Sequence, residues 1–126
     1  MDMNSTEKLL ASDVDGMVSY DYLVNNIDTN SVAVGLAVEN IGRVDQTGQF
    51  AASAARFLHA IDPVHFEEEI DTLLKIAIDK DREKAYLPSL LSCIWGEDYL
   101  SRVDELREAD DNFRRIYKRV HPSSSI

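Results

Sequence analysis

Ser31-Val32-Ala33-Val34-Gly35-Leu36-Ala37-Val38-Glu39-Asn40-Ile41-Gly42-Arg43-Val44 is the stretch on which the fold class turns. Val32, Val34, Leu36 and Val38 alternate with small residues, as in a strand. Val34, Ala37, Val38, Ile41 and Val44 equally form one stripe of a helix. A lone strand would leave its backbone donors and acceptors unpaired, and no other segment offers a partner. The stretch therefore reads as a helix, with Ser31 as its N-cap.

The segments on either side agree. Upstream, Ser5 or Thr6 caps a first helix carrying Leu9 and Leu10, Gly16 with Asp13 and Asp15 marks a bend or restart, and Met17, Tyr20, Val24 and Ile27 share a face. Asn25-Asn26 and Asp28-Thr29-Asn30 form the stop. Downstream, Asp45-Gln46-Thr47-Gly48 is a turn before Phe50, Ala54, Phe57, Leu58 and Ile61, which repeat at helical spacing. Asp62-Pro63 reads as an N-cap and first-turn proline, followed by the stripe Phe66, Ile70, Leu73, Leu74, Ala77. Pro88 opens a helix bearing Leu87, Leu90, Leu91 and Ile94, and Gly96 closes it. One long final helix is expected from about Glu97 to Val120, with Tyr99, Val103, Leu106, Ala109, Phe113, Ile116, Tyr117 and Val120 as its seam. The expectation is an all-α chain: a single bundle of five to six antiparallel helices, ordered over 5–120, with a frayed tail over 121–126 and no internal repeat.

At 126 residues the chain has room for one core. Its 23 acidic against 13 basic residues give a formal charge of −10. That balance disfavours nucleic acid and anionic membrane as partners and favours basic proteins or divalent cations. Cys93, the one cysteine, lies in an apolar context and reads as an inert core filler. With no basic-then-apolar leader and no apolar run near 20 residues, a reducing cytoplasm is the expected setting.

Three groups of residues bear on chemistry. Residues 9–18, with Asp13-Val14-Asp15-Gly16, resemble the first motif of haloacid dehalogenase-like phosphatases. The resemblance implies a nucleophilic Asp13, a proton-handling Asp15 and magnesium, on a doubly wound sheet that the rest of the chain does not spell. Glu68 and Asp71 stand three apart on one helix, and Glu108 and Asp111 repeat that spacing on the last. This is similar to the acidic pattern of the all-helical MazG-like nucleotide pyrophosphatases, and implies a Mg²⁺ site for nucleotide or phosphate-ester hydrolysis. Helix geometry opposes it, since Glu68 falls nearly opposite the stripe centred on Ile70 and Leu73. Surface solvation and helix-dipole compensation account for Glu67, Glu68 and Glu69.

The third group is basic. Arg114, Arg115, Lys118 and Arg119 suit a helix C-terminus, and Asp110 is placed to pair with Arg114. Arg115 and His121 loosely resemble the Arg/His pair of some helical ribonucleases, without the polar residue that follows the Arg there. His59 and His65 flank the Ile61-Asp62-Pro63 turn and could share a metal, but no histidine has ligand spacing. With no catalytic motif complete, the expected function is a non-catalytic, cytoplasmic protein-interaction module of regulator, adaptor or toxin-neutralising type. Two competitors stand beside it. One is the Mg²⁺-dependent hydrolase on Glu68, Asp71, Glu108 and Asp111. The other is a structural homodimer, with Tyr20, Tyr22, Tyr86, Trp95 and Tyr99 as its patch.

Overall fold

The computed structural model describes residues 3–27 and 31–122. The stop expected at 28–30 and the tail over 123–126 lie outside the described residues. Eight α-helices and one 3₁₀ turn account for most of what is described, and no strand occurs there. They are α1 (Met3–Ala11), α2 (Met17–Asn25), α3 (Ser31–Val44), α4 (Gln49–Ile61), α5 (Glu67–Lys80), α6 (Leu87–Trp95), the 3₁₀ turn Tyr99–Arg102, α7 (Val103–Ala109) and α8 (Asp111–Val120). The helical reading of 32–44 is correct, and burial shows why: Val34, Ala37, Val38 and Ile41 all face the core.

The count exceeds the expected five to six because both ends of the chain are divided: the turn at Asp13–Gly16 separates α1 from α2, and the expected last helix is the 3₁₀ turn, α7 and α8. Gly96, at φ +100, ends α6, and the 3₁₀ turn follows. The chain then breaks again at Asp110, whose backbone is extended and whose side chain accepts from the Phe113 amide. An aspartate that can cap competes with continuing the helix, and here it wins. Asp62 and Pro63 likewise build a separate turn: Asp62 Oδ1 accepts from the His65 amide, and α5 proper starts only at Glu67.

Helix contacts follow a regular scheme. The most extensive are those of consecutive helices α2 with α3 and α4 with α5; α6 pairs in the same way with α8. Next come contacts between alternate helices: α1–α3, α3–α5 and α5–α8 in one rank, α2–α4 and α4–α6 in the other. The chain is thus a two-layer array in which α8 takes the position of the next first-layer helix. The 3₁₀ turn and α7 are inserted before it and pack on α6 and α8 respectively. Ala51, Ala52, Ala54 and Ala55 are fully buried on α4, which has neighbours in both layers. Small side chains there let four helices approach it closely.

Three turns of one design join the layers. Asp13, Asp45 and Asp81 follow α1, α3 and α5, and each is at most 4% exposed. The residue three positions on is in the left-handed region each time: Gly16, Gly48 and Lys84. The aspartate then collects amides from the turn itself and from the start of the next helix. Asp13 accepts from Asp15, Gly16 and Ser19. Asp45 accepts from Thr47, Gly48, Phe50 and Ala51, and Asp81 from Ala85, Tyr86 and Leu87. Ser19, Phe50, Ala51 and Leu87 are orphan amides in the first turns of α2, α4 and α6, and the other donors belong to the turn before each helix; all meet a buried carboxylate. The turns also stack: a methyl group added at Gly48 would lie 3.1 Å from Asp81 Cβ, and one at Gly16 would lie 2.9 Å from Phe50. The expectation of no internal repeat is corrected by this thrice-used joint.

Candidate acidic cleft

A hollow opens between α5 and α8, where the inserted 3₁₀ turn and α7 delay the start of α8. It measures about 540 Å³. Its apolar part is Pro63, Ile70, Leu74, Ile94 and Trp95. Its polar part is His59, Glu67, Glu68, Asp71, Asp110 and Asn112. Among the described residues no Lys or Arg lines it, so the cleft has a strongly negative lining.

Each wall is fixed by its own element. The caps on α8 place Asp110 and Asn112. Asp110 Oδ1 takes the Phe113 amide, while Asp110 Oδ2 accepts from Trp95 Nε1 at 2.8 Å, which locks the indole against the α8 N-terminus. Phe113 meets Trp95 edge-on, with centroids 5.2 Å apart. Asn112 Nδ2 donates to Asp71 Oδ1 at 2.7 Å, tying α8 to α5. Lys75 neutralises Asp71 from outside the cleft, at 2.5 Å from Oδ2. Glu67 and Glu68 have no ion pair among the described residues. Asn112 is 6% exposed, and its Oδ1 is buried without a hydrogen-bond partner.

The four carboxylates of the hydrolase reading are divided. Glu68 and Asp71 line the cleft; Glu108 and Asp111 do not. Asp111 is on the exposed face of α8 and pairs with Arg114, which holds its carboxyl below the usual carboxylate range. Arg114 therefore pairs with Asp111 and not with Asp110, because Asp110 lies outside the helix as its cap. Among the described residues no three His, Cys, Asp or Glu side chains are grouped as metal ligands.

Other candidates find structural partners. Asp13 is buried with both oxygens on backbone amides, so it is a joint, and no sheet presents it as a nucleophile. Its pKa is lowered: burial pushes it up, but hydrogen bonds from Ser19, Gly16 and Asp15 outweigh that. Asp15 Oδ1 accepts from the Met17 amide. His65 lies edge-on to Phe66 while His59 faces the cleft, and His121 packs on Tyr117 and Tyr99. Arg119 donates to the Ile78 carbonyl. Cys93 is exposed on α6, a correction to its reading as a core filler, because Leu90 and Leu91 turn inward and leave it outside. Partial burial still pushes its thiol pKa up. Of the aromatics assigned to a dimer patch, Tyr22 is buried on Thr6, and Tyr20, Tyr86, Trp95 and Tyr99 pack against the core edge.

Trp95, Asp110 and Asn112 are the cleft residues that the sequence pattern did not bring together. The run Asp110-Asp111-Asn112 carried the signal, as three residues that favour caps over helix interiors. No protein family, curated protein or solved structure significantly matches this chain.

Proposed function

We propose that this chain is a non-catalytic protein-interaction module, of regulator, adaptor or toxin-neutralising type, that engages a basic partner through the α5–α8 cleft. The observation that carries this reading is the pair Glu67 and Glu68, which face a hollow of about 540 Å³ with no Lys or Arg among the described residues lining it. A charge of −10 steers a basic surface toward such a site, while anionic nucleic acid and membrane are repelled. Stacked helix pairs suit the role, since repeat arrays hold wide surfaces rigidly without dedicating a core to catalysis. A cytoplasmic setting belongs to the same proposal.

The test is titration with a mixed Lys/Arg peptide at low and at physiological salt. Saturable binding that weakens with salt and is lost in Glu67→Gln/Glu68→Gln supports the reading; unchanged binding in that variant overturns the assignment to the cleft. A magnesium-dependent nucleotide or phosphate-ester hydrolase competes because Glu68 and Asp71 do share the cleft. Isothermal titration with Mg²⁺ decides it. Saturable binding abolished by Glu68→Gln would replace the interaction module with the hydrolase.

A further inference from the structure

The cleft differs from a plain patch of acids in three respects. It contains Trp95, the only tryptophan of the chain, held by Asp110. It has an apolar floor from Ile70, Leu74 and Ile94. It is also walled by a buried carboxamide, Asn112, whose Oδ1 acceptor has no partner. A buried acceptor left unpaired is a standing cost, removed when a donor arrives. Asp71 already spends one oxygen on Asn112 and the other on Lys75, so the free anionic capacity belongs to Glu67 and Glu68.

An ammonium ion suits one carboxylate as a point charge and keeps its water strongly. A guanidinium is planar, weakly hydrated and carries five donors in a fixed fork, so it can serve several acceptors at once beside an aromatic ring. We propose that the cleft is an arginine pocket: one arginine side chain of the basic partner enters it. Its fork is shared between the Glu67/Glu68 carboxylates and the Asn112 carboxamide, and its plane lies against Trp95. Oδ1 of Asn112 is covered while the cleft is empty, so entry requires a small opening of the α8 wall. This proposal rests on the interaction reading above and narrows it to one side chain.

Trp95 is its own reporter. The full chain is titrated, following tryptophan fluorescence, with three probes: a short neutral-background peptide carrying one arginine, the same peptide carrying lysine, and N-acetyl-arginine amide. The expected result is a saturable change with the arginine peptide, about tenfold or more tighter than with lysine. Asn112→Ala should remove most of that preference, and the exposed Glu68→Gln should weaken both peptides while leaving the thermal melt unchanged. Equal affinity for arginine and lysine overturns the arginine pocket and leaves the basic-partner reading standing. Absence of response to either peptide removes both. A response to the free amide as strong as to the peptide would show a small-molecule guanidine site and overturn the partner side chain as occupant.

Discussion

Asp45 is almost completely buried, yet each oxygen of its carboxylate accepts two backbone amides, and this is why a charged side chain is tolerated in an apolar interior. Asp45→Ala would strand those amides and is expected to cost roughly 3 kcal/mol or more, read as a shift in the urea midpoint. Asp13 makes the same kind of joint testable by pH. Its folded-state pKa is depressed below the ordinary value of 3.8, so its contribution is fully present above that value and lost as pH falls through the folded pKa. Asp13→Asn should lower stability at neutral pH and flatten the loss of stability on going from pH 4 to pH 2, measured by chemical denaturation at each pH. Glycines give the sharpest contrast. Gly48→Ala meets φ +84 and a 3.1 Å approach to Asp81, and should cost about 2 kcal/mol. Gly35→Ala, with nothing within 4 Å of the new methyl, should instead stabilise by up to about 1 kcal/mol.

Among the elements, α8 carries the most information. Its apolar residues Phe113, Ile116 and Tyr117 are buried between α5 and α6, and its cap Asp110 binds the indole of Trp95. Asp110→Ala removes a cap and a partner together, and should cost about 1–2 kcal/mol while shifting Trp95 emission. The melting curve and the emission spectrum check the two effects separately. The helical character of this segment was legible from its seam, but its division was not. Val103, Leu106, Phe113 and Ile116 keep a helical spacing across a break that only the capping power of Asp110 explains. Likewise, α4 and α5 could be read from Phe50, Ala54 and Leu58 or from Ile70, Leu73 and Leu74. The repeated joint is hidden in the sequence because its third copy has Lys84 where the first two have glycine, and because Asp13-Val14-Asp15-Gly16 looks like a catalytic motif when seen alone. The cleft was illegible for a different reason. Glu68 does point away from its own helix's core stripe, as geometry requires, but a neighbouring helix arriving after a long insertion turns that flank into a wall.

Over the whole molecule, stability should be graded along the array. The described part of α1 packs chiefly on α2 and α3, with Asn40 Nδ2 holding the Leu10 carbonyl at 2.8 Å, whereas α4 and α5 have neighbours on several sides. Amide hydrogen exchange should therefore find α1 opening first and the α4–α5 pair last, with global protection reached only there. Uniform protection across all helices would show that the array unfolds as one unit. The joints at Asp13, Asp45 and Asp81 stand 32 and 36 positions apart, each beginning the same kind of corner. Since equivalent corners stack on one another, a genetic splice between two of them exchanges like for like. Residues 45–80 form a cassette bounded by matching ends, so a chain that duplicates it presents matching corners at both junctions. A chain in which residues 45–80 are duplicated is therefore expected to fold, with a single cooperative melt as the check.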